Sequence, residues 1–207
     1  MMIQTNMQHA DLVTNRVINE DMISFENLYQ NNVVGIVDVV NSTKIISKIS
    51  QEQACQYYSV FHNTLAHAIK FHGGSVVKNI GDGILFYFPQ FESVNSALAC
   101  SAKLIELSRA INYILKERKI PQIQYRISLD YGPLMIANYK TSSSKDIFGS
   151  TVNLCSKINH FAAPNQIVIG GDLFEIARKS KKYSFKHITQ FKSAIKHNYQ
   201  VYSVNLS

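Results

Sequence analysis

Two aspartates lie where a carboxylate could bind a metal ion. Asp38 interrupts the apolar run VVGIVDVV at residues 33–40, and Asp82 lies in the Gly-Asp-Gly turn at 81–83. A carboxylate inside a buried apolar strand is costly without a metal or charge partner, whereas Asp82 alone is an ordinary turn residue. If the two strands are neighbours in a sheet, both carboxylates reach one end of it. With the backbone carbonyl of Val39, they would hold Mg²⁺ or Mn²⁺ beside a nucleoside triphosphate.

The patterns around these aspartates predict an α+β domain. In chain order they indicate a strand at 32–40, a helix from Ser42 and Thr43 to Gly73, strands at 75–80 and 84–88, a helix at 91–115, and strands at 123–129 and 134–139. The order β, α, β, β, α, β is typical of a ferredoxin-like, palm-type core, with helices across one face of a mainly antiparallel sheet. Fold alone assigns no chemistry.

Additional elements are predicted on both sides of this core. After it come a loop rich in Ser and Lys at 140–145, a helix at 151–161, a strand at 167–170, a further helix, and strands at 183–188 and 198–204. Residues 1–28 are polar and weakly patterned, so we expect a flexible or helical N-terminal extension. The domain proper is then expected to span residues 29–207.

Composition bounds the class of protein. A chain of 207 residues that is 46% hydrophobic is long enough for one domain with a substantial core. It has neither a signal peptide pattern nor an apolar stretch of membrane-spanning length, so we expect a cytoplasmic protein with no membrane partner. The net charge of +7 suits an anionic ligand. The basic stretch at 178–186 lacks the interleaved aromatics of a nucleic-acid platform, so we expect a solvated loop and no nucleic-acid partner.

Four ordered segments carry a resemblance to a known family. They are GIVDVVNST at 35–43, GGSVVKNIGDG at 73–83, YRISLDYGP at 125–133 and DIFGSTVNLCSKI at 146–158. Together they resemble the class III adenylate and guanylate cyclases, over residues 33–204. The resemblance implies a domain that converts a nucleoside triphosphate into the 3′,5′-cyclic nucleotide and pyrophosphate.

The resemblance also implies roles for individual residues. Asp38 and Asp82 match the family's two metal-binding aspartates, which hold two Mg²⁺ or Mn²⁺ ions per site. Lys78 matches the position that contacts the purine base, where adenylate cyclases carry lysine and guanylate cyclases glutamate. Asp146 matches its partner, which is aspartate for adenine and commonly cysteine for guanine.

Three further residues match the family's contacts to the ribose and the phosphates. Asn153 matches the asparagine that orients the ribose, and Lys192 resembles the lysine that contacts the terminal phosphates. Lys157 departs from the family, which usually has arginine four residues beyond the asparagine. A lysine still offers positive charge to the α-phosphate, but without the two-pronged geometry of arginine. Lys157 is therefore consistent with weak activity, with a different substrate, or with a surface lysine on a degenerate site.

The predicted base contacts favour ATP. Adenine offers a ring-nitrogen acceptor beside an amino donor, which Lys78 as donor and Asp146 as acceptor would both satisfy. Guanine presents the reverse order and would leave both groups mispaired. Cytosine shows the same pattern as adenine, so a pyrimidine cyclase stays open as an alternative.

The family further implies a homodimer with shared sites, in which one chain supplies the metal aspartates and the other the base, ribose and phosphate residues. Two other classes of protein remain alternatives. One is a regulatory module that binds nucleotide without turnover, which Lys157 would explain. The other is a palm-type polymerase or dinucleotide cyclase, although residues 73–83 lack the acidic signature loop of dinucleotide cyclases. Tyr57, Tyr58 and Phe61 are expected to be core and dimer contacts.

Overall fold

A seven-stranded sheet forms the centre of the computed structural model, which describes residues 23–26, 30–89, 93–140 and 145–206. In the order in which they lie side by side, its strands are β3 (Ser75–Ile80), β4 (Gly83–Phe88), β2 (Asn31–Val39), β5 (Tyr125–Pro133), β8 (Ile167–Gly170), β10 (Tyr199–Leu206) and β9 (Tyr183–Phe191). All neighbours are antiparallel except β5 and β8. A second sheet has the order β1 (Ile23–Glu26), β6 (Met135–Tyr139) and β7 (Lys145–Phe148).

Five helices accompany the sheets in the described part of the chain. They are α1 (Ser42–Ile46), α2 (Gln51–Phe71), α3 (Ser93–Glu117), α4 (Ser150–Asn159) and α5 (Gly171–Ala177). The main hydrophobic core joins the large sheet to α2, α3 and α5. Helix α4 packs with residues of the opposite sheet face and of the small sheet. This arrangement confirms the predicted palm-type α+β fold with its β, α, β, β, α, β core.

Strand β2 has two buried faces, as its apolar run predicts. Val33, Val37 and Val39 belong to the core beneath α2 and α3. Val34 and Ile36, which alternate with them, pack with Leu85, Cys155 and residues of the small sheet on the other side. Asp38 near the end of the strand is only partly buried. The strand therefore holds its aspartate at the edge of the core and not within it.

Three of the predicted helices and strands differ from the structure by three or more residues. The single helix predicted from Ser42 to Gly73 is two helices, because Ser50 starts α2 with a capping box in which its hydroxyl accepts from Gln53 N and its N–H donates to the Gln53 side chain. Gly73, with φ of 83°, follows the end of α2 as predicted. Strands β5 and β9 run three or more residues further than predicted.

The structure also differs from the prediction at the end of the loop predicted at 140–145 and within the N-terminal extension predicted at 1–28. Lys145, at the end of the predicted loop, begins strand β7, while residues 141–144 lie outside the described residues. Of the predicted flexible or helical extension, only 23–26 are described, and they form β1, which pairs with β6. That strand adds an edge to the small sheet that the sequence pattern did not indicate.

Candidate active site

The two aspartates predicted to bind metal lie at the same end of the large sheet. The last paired residues of β2 and β4 on this side are Val37 and Ile84. Asp38 follows Val37 directly, and Asp82 lies two residues before Ile84 on the antiparallel neighbour. A Cβ atom at Gly83 would lie 2.6 Å from the Val37 carbonyl oxygen. Because only glycine permits this close approach, Gly83 sets the hairpin turn directly against the end of β2.

The carboxylate of Asp82 has one oxygen that none of the described residues satisfies. Its Oδ1 is buried and has no hydrogen-bond partner among the described residues. A hydrogen bond with Asp82, followed by burial and the carboxylate's charge, raises the pKa of Tyr58 to about 12. Burial first and the charge of Asp82 second also raise the pKa of Tyr57, whose buried hydroxyl has no partner there either. A divalent cation would satisfy the unpartnered carboxylate oxygen, so this donor set fits Mg²⁺ or Mn²⁺.

Among the described residues, the carboxylates of Asp38 and Asp82 are available to a metal ion at this end of the sheet. The parts of the chain that the structure describes contain no cluster of three or more His, Cys, Asp or Glu side chains suited to a metal ion. Val39, the expected third ligand, is the last residue of β2, and its side chain is buried in the core. Its backbone carbonyl is therefore the group that it can offer. Such a sparse set suits an ion that also takes oxygens from substrate phosphates.

Arg126 is a site residue that the sequence analysis missed. It lies directly opposite Asp38 in the register of β5 and β2. Its Nη2 and Nε donate to Asp38 Oδ2 at 2.8 and 3.0 Å, and both side chains are partly exposed. The guanidinium thus neutralises Asp38 and fixes its orientation. The signal that could have found it is the pairing register of the two strands, which no local pattern contains.

The two residues predicted to contact the base do meet. Lys78 Nζ lies 2.5 Å from Asp146 Oδ2. An irregularity between Val76 and Lys78 shifts the register of β3 on β4, and Asp146 lies on β7 of the small sheet. The Asp146 side chain is only 15% exposed, against 47% for Lys78. The other oxygen of Asp146 accepts from Ile147 N at 2.8 Å, which holds the carboxylate in place.

The three remaining predicted residues are exposed. Asn153 and Lys157 lie one turn apart on α4, and Lys192 follows the end of β9. In the described part of the chain their side chains make no hydrogen bond or ion pair, and none links the Asp38–Asp82 pair to the Lys78–Asp146 pair. The single chain thus assembles two separate clusters and leaves the three residues predicted to contact the ribose and the phosphates exposed to solvent.

A palm-type sheet with two aspartates at one end, together with a separate lysine–aspartate pair, is the arrangement expected of a catalytic domain of the nucleotide cyclase class. Residues 26–205 match the family model described as the adenylate and guanylate cyclase catalytic domain. The chain belongs to this family. The resemblance drawn from the four sequence segments is therefore confirmed.

Individual relatives are similar over part of their length. An adenylate cyclase of Streptomyces coelicolor is 24% identical over 136 residues, which are 66% of this chain and 31% of that protein. An adenylate cyclase of Glutamicibacter nicotianae is 28% identical over 135 residues, 65% of this chain and 29% of that protein. The chain thus spans about a third of the length of the curated relatives that it matches.

Solved structures of both base specificities share the fold. The adenylyl cyclase CyaB from P. aeruginosa has a TM-score of 0.79 at 15% identity, over 89% of this chain and 96% of that one. The guanylate cyclase domain of RhGC from Catenaria anguillulae, in complex with GTP, has a TM-score of 0.75 at 19% identity, over 86% and 97%. The shared fold does not distinguish ATP from GTP. None of the helices within the described ranges has the length and apolar character needed to span a bilayer.

Proposed function

We propose that the chain is a nucleotide cyclase that converts ATP into 3′,5′-cyclic AMP and pyrophosphate at sites shared between two copies. The observation that carries the proposal is the convergence of Asp38 and Asp82 at one end of the sheet, where a buried oxygen of Asp82 has no partner in the described residues. Family membership supports the class of reaction. The base, the mechanism and the assembly are parts of the proposal.

The aspartates prepare the reacting end of the substrate. Divalent ions bound there would supply Lewis acidity to the 3′-hydroxyl and to the departing pyrophosphate. Asp38, which forms an ion pair with Arg126 at 2.8 Å, is held in a defined orientation before any substrate arrives. Preorganised charge of this kind is the main source of catalysis in a reaction without an enzyme nucleophile.

The Lys78–Asp146 pair supports ATP as the substrate. The 2.5 Å contact sets a donor and an acceptor side by side, and these are the two kinds of group that the ring nitrogen and the amino group of adenine require. Guanine, which presents the reverse order, would place its donor against the Lys78 donor and its acceptor against the Asp146 acceptor. Cytosine fits the same pair, so cyclic CMP is the outcome that would change the assignment of the base.

Asn153, Lys157 and Lys192 are assigned to the ribose and the phosphates. Asn153 would hold the ribose so that its 3′-hydroxyl lies in line with the α-phosphorus. Lys157, one turn further along α4, would face the charge that develops on the α-phosphate. Lys192 would contact the terminal phosphates. These side chains are exposed and make no polar contact within the described chain, which suits residues that complete a site on a partner copy.

The direct test is incubation of the purified protein with ATP, GTP, CTP and UTP separately, with Mg²⁺ or Mn²⁺, and chromatographic detection of cyclic products. We expect cyclic AMP, reduced about 100-fold or more in Asp38→Asn. Glu106→Gln is the matched control, since it removes one carboxylate from an exposed helical ion pair with Lys103. Absence of any cyclic product from a folded, dimeric protein would refute the proposal.

Shared sites have their own test. An Asp38→Ala chain and a Lys78→Ala chain, each inactive alone, should recover part of the activity when mixed, because one of the two sites in a mixed dimer is intact. A mixture of two chains that both carry Asp38→Ala is the control. No recovery in a mixture that exchanges subunits would refute the shared-site arrangement.

A regulatory nucleotide-binding module is the second candidate. It is suggested by Lys157, which stands where the family usually has arginine. Calorimetric binding of ATP with no cyclic product would favour it over the enzyme.

A further inference from the structure

Lys192 lies at the start of a compact loop whose shape is fixed by its own residues. The loop spans residues 192–198 and joins β9 to β10, beyond the closing pair of Phe191 and Tyr199. Ser193 N donates to Lys196 O at 2.9 Å, and Lys196 N donates to Ser193 Oγ at 2.9 Å. These bonds fold 193–196 into a turn. We call residues 192–198 the Lys192 loop.

Tyr199 anchors the base of the Lys192 loop to the interior. Its ring is buried and contacts the ring of Phe191 edge-on, with centroids 5.8 Å apart. Its hydroxyl donates to the carboxylate of Asp130, with distances of 2.6 and 2.7 Å to the two oxygens. Asp130 is fully buried on β5, and its Oδ1 also accepts from Tyr131 N at 2.9 Å. A Cβ atom at Gly170 would clash with both Asp130 and the Tyr199 hydroxyl, so the glycine makes room for this bond.

An ion pair holds the tip of the Lys192 loop. Lys196 Nζ lies 2.5 Å from both carboxylate oxygens of Asp172, in the first turn of α5. The same ammonium lies 5.3 Å from the centroid of the Tyr199 ring. The backbone N–H of Asp172 donates to the Tyr199 hydroxyl at 3.4 Å. Lys196, Asp172, Tyr199 and Asp130 therefore form one connected network from the loop tip to the buried centre of β5.

Among the described residues, no side chain makes a polar contact with the Lys192 ammonium, so the network beneath the loop is what can set its position. Its side chain is exposed and makes no polar contact in the described part of the chain. A lysine is a point charge on a flexible stem, so its reach is set by where the backbone holds its Cα atom. A misplacement of about 1 Å in such a contact can lower the rate strongly.

We propose that the Lys196–Asp172 ion pair, seated on the Tyr199–Asp130 hydrogen bond, positions the Lys192 loop for contact with the terminal phosphates of the substrate. Lys196 and Asp172 are then positioning residues that act through Lys192. The inference rests on the proposed function, in which Lys192 binds those phosphates.

The test is a set of charge reversals read by steady-state kinetics with ATP. Lys196→Asp and Asp172→Lys each set like charges together, whereas the double variant restores a pair of opposite sign. We expect KM to rise about two- to five-fold in each single variant, the range that breaking a partly exposed pair produces, and to recover in the double variant. Lys103→Glu is the control, since it breaks an exposed ion pair on α3 with Glu106 and should leave KM unchanged.

A cycle with Lys192→Ala separates positioning from mere stabilisation. If Lys196 acts through Lys192, then Lys196→Asp should add no further rise in KM once Lys192 is alanine. Equal effects of Lys196→Asp with and without Lys192 would overturn the proposal. So would a KM that does not change in the single variants, or that fails to recover in the charge-swapped double variant.

The same variants can be compared without turnover by measuring their binding of inorganic tripolyphosphate by calorimetry. Lys192→Ala and Lys196→Asp should each weaken binding, and the two effects should not add. A wild-type protein that makes no cyclic nucleotide but shows this coupling would refute the proposed function and keep the positioning network. Additive effects, or no effect of Lys196→Asp, would refute the network whatever the activity.

Discussion

Replacement of Asp130 by asparagine should remove a pH dependence of stability that is built into the fold. Burial raises the pKa of Asp130 from its usual value of 3.8 to about 7, against the opposing hydrogen bonds from Tyr199 and Tyr131 and the charge of Lys196. The charge of Asp172 adds to the rise. Near pH 5.5 the folded chain therefore holds a proton that the unfolded chain has lost.

The direction and the size of the change in the free energy of unfolding follow from this difference in bound protons. As pH rises from 5.5 towards 7, folding must increasingly accept an ionised buried carboxylate, so the free energy of unfolding falls. Each pH unit contributes about 1.4 kcal/mol, and the interval below the folded pKa is about 1.5 units. Wild type should lose about 2 kcal/mol relative to Asp130→Asn between pH 5.5 and 8.5, with little further change above the folded pKa.

The assay is thermal unfolding of both proteins across that pH range, with the difference in Tm as the readout. For a chain of this length, about 2 kcal/mol corresponds to roughly 4–8 °C. Taking the difference between two near-isosteric proteins cancels the contributions of the histidines and the surface carboxylates. Glu106→Gln, an exposed carboxylate, should show no such trend. A difference in Tm that is flat with pH, or that grows towards acid in favour of Asp130→Asn, would refute the reasoning.

Three further predictions concern close packing and the α-phosphate contact. Gly83→Ala brings a Cβ atom to 2.6 Å from the Val37 carbonyl; we expect a loss of about 1–3 kcal/mol in stability and of about ten-fold or more in kcat, measured by unfolding and initial rates. Gly35→Ala drives a methyl group into the Phe86 ring and should cost a similar stability without changing the kcat of the folded fraction; a Tm equal to that of wild type would contradict the packing. Lys157→Arg, which supplies a forked donor, should raise kcat about ten-fold with KM little changed; an unchanged kcat would mean that residue 157 does not face the α-phosphate.

The sequence predicted the fold well because its strongest signals are local. The run at 33–40 predicts a strand with two buried faces, and β2 packs apolar residues on both. The Gly-Asp-Gly turn predicts the β3–β4 hairpin, which forms as expected. The predicted continuous first helix was wrong, because Ser50 and Gln53 form a capping box that the apolar periodicity masks.

Most residues of the candidate site were predicted from the sequence, but the ion-pair partner of Asp38 was not. Asp38, Asp82, Lys78 and Asp146 were predicted through segments that resemble a family; in the structure Lys78 contacts Asp146, and Asp38 and Asp82 lie at the same end of the sheet. Arg126 was missed although it lies in one of those segments. Its role depends on Asp38, which is 88 positions away in sequence and adjacent only across β2 and β5.

The sequence by itself determined the strands of the large sheet, most of the turns and which residue types are available for chemistry, since burial period and turn preference are properties of short stretches. The tertiary structure decided which of those residues meet. Lys78 reaches Asp146 across 68 positions, and Tyr199 reaches Asp130 across 69. Such contacts depend on strand order and register across the whole sheet, so the network under the Lys192 loop became visible only in the folded chain.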